Sequence, residues 1–152
     1  MSASLHASRV VVDLGAYAHN LGVAWHYAGT RRALAAVIKA NGYGLGALPL
    51  ARRAQEVGVA MLAVATLDEG VELRDGGIEG PILILIQPAG EAFQAAVDYN
   101  LTLMLCDLDA GKVLGDLARK AGRVLPVHCM VDTGMNRQGF SLESAVRDIP
   151  VL

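Results

Sequence analysis

The sequence predicts an α/β fold built on parallel strands, and three observations carry that reading. Short apolar runs alternate with stretches of helical periodicity along the whole chain. The apolar runs are near-continuous Val, Ile and Leu without polar alternation, as expected of strands covered on both faces. The links are short and carry Gly, Asp or Pro, as in repeated βα units.

Taken in order, residues 9–13 (RVVVD) read as a first short strand. Residues 14–29 follow as a helix, with Leu14, Tyr17, Leu21 and either Ala24 or Trp25 on one face. Residues 33–39 form the next strand and end on Lys39. After a glycine-rich loop, Leu48, Leu50, Ala51, Ala54 and Val57 give a second amphipathic helix closed by Gly58. Residues 59–65 are a strand and 67–77 a short helix stopped by glycines. Residues 81–87 are a strand, 90–99 a helix and 101–106 a strand. Residues 107–122 are a helix with Asp107 as N-cap and Gly122 at its end. Residues 125–132 are the last strand, and SLESAVRDI (141–149) begins a further helix. An open doubly wound sheet and a (β/α)8 barrel both fit this order. A closed barrel takes about 250 residues. The 152 residues here are therefore expected to hold five or six βα units.

Composition narrows the function. Hydrophobic residues make up 53% and charged residues 18%, enough apolar material for a large core. The net charge is −2 with both signs scattered. That excludes the basic footprint of a nucleic-acid binder and the polybasic patch of a membrane-surface protein. The opening MSASLHASR lacks a long apolar segment, so no secretory signal is expected and a cytoplasmic location is. Leu14–Thr30 is uncharged but carries His19, Asn20 and His26, which suits an amphipathic helix rather than a membrane span. Cys106 and Cys129 sit in apolar runs without a ligand partner at zinc spacing. They are expected to be small core residues, with no disulfide and no metal.

Lys39 stands out. Only three lysines occur, and Lys112 and Lys120 lie in a polar helix. Lys39 closes an apolar strand at the edge of the sheet where parallel α/β proteins bind ligands. It is then followed by Asn41, Gly42, Tyr43, Gly44 and Gly46. Two readings stand. The side chain snorkels its charge to the mouth of the sheet. Alternatively, a desolvated amine acts as a nucleophile toward a carbonyl cofactor such as pyridoxal phosphate. A buried lysine by itself favours the first reading, and the glycines shift the balance toward a ligand that approaches the backbone closely. The loop is neither a Walker A sequence nor GxGxxG. A second segment, VDTGMNRQGF (131–140), follows another apolar strand at the same predicted edge. Its Arg137 offers a guanidinium fork suited to a carboxylate or phenolate.

At these two segments the chain resembles the alanine racemase family, fold-type III pyridoxal-phosphate enzymes. AVIKANGYGLGA (36–47) resembles the cofactor-lysine signature and VDTGMNRQGF the family's DTGMxRxG segment. VVDLGAYAHNL and VATLDEGVELRDGGIEGPILIL resemble the family's opening and the stretch after its third strand. The likeness runs in order over nearly the whole chain. It implies a partial (β/α)8 TIM-type barrel over residues 1–152, with the later strands and a C-terminal β domain beyond. It also implies a homodimer and racemisation of an amino acid, most readily L- to D-alanine for peptidoglycan. Lys39 would form the internal aldimine with pyridoxal phosphate and serve one face of the substrate. A tyrosine of the partner subunit would serve the other. Tyr43 would lie near the cofactor phosphate and Leu85 beside the ring. Arg137 would bond the phenolic oxygen and help place the substrate carboxylate. Many members carry a carbamylated lysine where this chain has Met130, so Arg137 must be oriented by something else, such as a bound anion or His128. This segment alone is expected to be inactive. The alternatives are a non-catalytic pyridoxal-phosphate-binding barrel and a structural fragment that needs a partner chain.

Overall fold

A computed structural model describes residues 9–29 and 33–152. The N-terminal stretch read above for a signal lies, up to residue 8, outside the described residues.

Helix α1 (Leu14–Ala28) opens on Asp13, whose Oδ1 accepts the Gly15 and Ala16 amides at 2.8 and 3.0 Å. Among the described residues, five strands and five further helices follow in alternation. They are β1 (Ala35–Val37), α2 (Ala47–Glu56), β2 (Met61–Val64), α3 (Leu67–Asp75), β3 (Ile82–Ile84), α4 (Phe93–Asp98), β4 (Thr102–Leu105), α5 (Leu108–Lys120), β5 (Val127–Cys129) and α6 (Leu142–Asp148). All neighbouring strands pair in parallel, in the order β1-β2-β3-β4-β5. That order decides between the two architectures. A doubly wound sheet reverses direction at a switch point, whereas a barrel adds each strand beside the last. The chain is a partial (β/α)8 barrel.

The register gives the sheet two faces. Ala36, Leu62, Ile82, Ile84, Leu103 and Leu105 face the helices and pack with Leu50, Leu73, Phe93, Val97 and Leu114 in the main core. Val37, Ala63, Leu83 and Thr102 share one row on the opposite, inner face. Ile38 is buried among the helix-side residues, so Lys39, next along, belongs to the inner face at its C-terminal edge.

Two expectations are corrected. Residues 9–13 are not a strand: Val10 and Val11 are 83% and 76% exposed, and the run pairs with nothing among the described residues. Valine favours an extended backbone, but a strand exists only where a neighbour offers its ladder. Burial on both faces holds for β2 to β4 but not for β1 and β5, which pair on one side only and are partly exposed. The remaining elements lie where expected, with strands trimmed at their ends. The helix read over 90–99 is a 3₁₀ turn, Gly90–Ala92, leading into α4. Of the two residues offered for the α1 face, Trp25 is half-buried and Ala24 exposed.

Candidate functional site

Beyond Ile38 the backbone turns left-handed. Ala40, Asn41 and Gly42 have φ/ψ of 51/50°, 52/48° and 64/39°, and Tyr43 and Gly44 continue at φ 55° and 85°. Asparagine and glycine accept this conformation readily. For Ala40 and Tyr43 it costs on the order of 1 kcal/mol each. The turn is tied down in return. Gly42 N–H donates to Ile38 O at 2.8 Å, Gly46 N–H to Asn41 O at 2.9 Å, and Ala47 N–H to Asn41 Oδ1 at 2.8 Å. Ala40 N–H donates to Glu69 Oε1 at 2.6 Å. The strand therefore ends at Val37, and after Ile38 the lysine leaves from the first residue of a fixed turn.

The second segment is folded as tightly. Phe140 N–H donates to Met130 O and Asp132 N–H to Phe140 O, both at 2.8 Å, which closes the loop between them. Phe140 is buried at its base. Gly139, at φ 125°, lies so close that a Cβ there would come within 2.9 Å of both Asp132 N and Met130 O, so only glycine fits. Asp132 accepts the Gly134 and Asn136 amides at 2.9 and 3.1 Å, and these bonds hold its carboxyl below the usual carboxylate range. Gln138 reaches across and donates to Leu85 O at 2.9 Å, which ties this loop to the end of β3.

Lys39, Leu85 and Arg137 line one cavity of about 390 Å³, together with Ala65, Ile86, Met130 and Gln138. That volume lies in the range of small-molecule sites. Residues 39 and 137 are brought together from segments nearly 100 positions apart. Tyr43 is not in this lining; it stands on the turn, 62% exposed. Met130 lines the cavity beside Arg137, while His128 sits exposed on β5. Among the described residues, no carboxylate lies within ion-pair distance of Lys39 or Arg137. The cavity thus offers an amine and a guanidinium with no acid to neutralise them. Such a donor set suits an anionic ligand bearing an electrophilic carbon. No group of three or more metal-ligating side chains occurs among the described residues. No described helix is long and apolar enough to cross a membrane.

A second cluster supports the rim. Gln87 Oε1 accepts the Cys106 amide at 2.6 Å, and its Nε2 donates to Asp107 Oδ2 at 2.7 Å. Asp107 Oδ1 caps α5 through the Ala110 amide at 2.7 Å. The Gln87 amide, with the Ala110 N–H, holds the Asp107 carboxyl below its ordinary range. Its stabilising contribution is therefore complete above the unfolded carboxyl value of about 3.9 and is lost as pH falls through the lower folded value. Asp107→Asn is expected to lower stability at pH 6 and to match the parent more closely near pH 2, measured by urea unfolding at both pH values. Burial, reinforced by the Asp107 charge, pushes the Cys106 thiol up, which disfavours the thiolate. Cys106 and Cys129 are free and half-buried.

Comparison with known proteins gives a consistent result. Residues 12–150 match the family model described as alanine racemase, N-terminal domain. The alanine racemase of Desulforamulus reducens is 42% identical over 130 residues, which is 86% of this chain and 35% of that protein. The alanine racemase of Mycolicibacterium smegmatis is 39% identical over 137 residues, 90% of this chain and 35% of the relative. Among solved structures, alanine racemase of Clostridium difficile 630 superposes with a TM-score of 0.83 at 32% identity, covering 91% of this chain and 36% of that one. A histidine racemase of Leuconostoc mesenteroides superposes with a TM-score of 0.77 at 30% identity, covering 91% and 38%. The chain thus spans about a third of the length of the relatives it matches.

Proposed function

Since the chain belongs to the alanine racemase N-terminal domain family, we propose that it forms the lysine-bearing part of a pyridoxal-phosphate-dependent amino-acid racemase. The observation that carries this reading is the meeting of Lys39, Leu85 and Arg137 around one acid-free cavity at the C-terminal edge of the sheet. Residues 1–152 are then the first part of the barrel, completed by further strands and a C-terminal domain in a homodimer. We assign alanine as substrate, after the curated relatives, which are named alanine racemase. The product would be D-alanine for the cell wall, made in the cytoplasm.

The residues fit the cofactor by chemistry. Lys39 would join its aldehyde carbon, Arg137 would face its phenolic oxygen and the substrate carboxylate, and Leu85 would pack against its ring. Tyr43, outside the lining, would reach the phosphate only from the rim. When bound, the conjugated ring accepts electron density and so weakens the bond to the substrate's α-hydrogen. The work of this chain's residues is to bind, orient and move a proton. The Lys39 amine would take or return the α-proton on one face. Arg137 would hold the substrate carboxylate in the cavity that Lys39 also lines. Leu85 and Met130 give the cavity an apolar wall beside the two cations.

Two experiments test the reading. Purified chain incubated with pyridoxal phosphate, reduced with borohydride and digested should carry the phosphopyridoxyl label on Lys39. Label shared evenly by Lys112 and Lys120 overturns the assignment. The chain alone should form no D-alanine from L-alanine. A chimera with residues 12–150 in place of the matching segment of an alanine racemase should form it. Label on Lys39 in a folded but inactive chimera would favour a non-catalytic cofactor-binding barrel.

A further inference from the structure

We propose that Glu69 is a positioning residue for Lys39: its carboxylate clamps the left-handed turn to the end of β2 and so fixes where the amine stands. The proposal rests on the reading of Lys39 as the condensing amine.

Glu69 is the third residue of α3, and the bond from Thr66 N–H to its Oε2 (3.3 Å) is the return half of a capping box with Thr66. Capping asks nothing more of it. Yet the same carboxylate accepts two further amides that have no part in the helix. Oε1 takes Ala40 N–H at 2.6 Å, and Oε2 takes Ala65 N–H at 2.7 Å. Ala40 follows Lys39 in the chain, and Ala65 stands at the end of the neighbouring strand, two residues beyond the partner of Val37, and lines the same cavity. One half-buried side chain therefore holds the two successive strand ends that flank the amine, through short charge-assisted bonds.

The residue type is demanding. Ala40 sits at φ 51°, a conformation alanine leaves readily unless its amide is engaged. A carboxylate has an acceptor on each oxygen, so it can face an N–H from each loop at once. Glutamine has one carbonyl oxygen, and its NH₂ would meet an N–H head on. Aspartate is one methylene too short to span both strands. If Ala40 relaxes toward right-handed backbone, the Cα–Cβ direction of its neighbour Lys39 swings, and the amine leaves the cavity mouth.

The test compares wild type with Glu69→Gln and Glu69→Asp by amide hydrogen exchange and by amine chemistry. In wild type the Ala40 amide, on an exposed turn, is expected to be protected. In Glu69→Gln, exchange at Ala40 and Ala65 should quicken at least ten-fold while Leu62 and Ile84 keep their protection. Phosphopyridoxyl labelling of Lys39 should slow about ten-fold, and the pH midpoint of its reaction with trinitrobenzenesulfonate should move. Quickened exchange with an unmoved rate and midpoint at Lys39 would reduce Glu69 to a helix cap and overturn the proposal. If neither variant folds, the wild type decides: Ala40 exchanging as fast as an unstructured amide refutes the clamp. Trinitrophenylation needs no cofactor. A wild type that takes no phosphopyridoxyl label, with a moved midpoint in Glu69→Gln, would sink the cofactor reading and keep the clamp.

Discussion

Lys39→Ala is expected to abolish the borohydride-fixed label while leaving the unfolding midpoint within about 2 °C of the parent. The two halves of that result have separate causes. Among the described residues, Lys39 has no hydrogen-bond or ion-pair partner, and its side chain lines the cavity rather than the helix-side core. Removing such a group changes stability by roughly 0.5 kcal/mol or less, a small shift for a chain of this size. Chemistry loses far more. A placed proton-transfer group contributes about 10²–10⁴-fold, and here the same nitrogen also carries the covalent attachment. In the chimera, racemisation should fall on the order of 10⁴-fold. Lys39→Arg is the control, because it keeps the cation but stays protonated and cannot condense. A variant that retains even a tenth of the parent's label would refute the assignment.

Arg74→Ala is expected to have the largest effect on stability. Its guanidinium spends all three nitrogens on backbone. Nε donates to Tyr99 O at 3.0 Å, Nη1 to Ile78 O at 2.8 Å, and Nη2 to Gly80 O and Asn100 O at 2.7 and 3.0 Å. These carbonyls belong to the loop before β3 and the loop before β4, so one side chain staples both strand entries. Burial lowers the pKa of this guanidinium somewhat, although it remains charged at any working pH. A hydrogen bond to a charged group is worth about 1.5–3 kcal/mol when buried. Three of the four bonds are exposed to solvent, so water would satisfy part of the loss, and a total near 3 kcal/mol is expected. That corresponds to a fall in Tm of roughly 6–12 °C. Arg74→Lys should recover less than half, since one ammonium cannot reach four spread acceptors. Urea unfolding checks the size, and a loss under about 1 kcal/mol would contradict it. Label at Lys39 should be unchanged in the folded variant, because Arg74 works at the opposite, N-terminal edge of the sheet.

The contrast between those two arginine and lysine sites shows what could be read from sequence. The alternation of apolar runs with helical periods identified β1 to β5 and the helices between them, because burial by the helix layer forces that pattern. Lys39 and Arg137 were legible for a related reason. Each follows an apolar run, and in a parallel sheet every such end opens on the same edge. RVVVD misled because strand propensity is local and pairing is not. The strand read through Lys39 stops at Val37, since Asn41 and Gly42 advertise a left-handed turn but nothing marks Ala40 as part of it. Thr66 and Glu69 are visible as a capping box. The reach of Glu69 to an amide 29 positions earlier is not, because it depends on how α3 sits against the turn. Gln138 looked like any polar loop residue, and only the folded loop brings it to Leu85 O.

The alternation that sends Ile38 to one side and Lys39 to the other makes β1 a counting device. Substitutions along it change packing by degrees, but adding or deleting one residue between Ala35 and Lys39 would rotate the amine by half a turn into the oily layer beneath the helices. The placement of the amine thus depends on how many residues this strand has, not only on which ones they are.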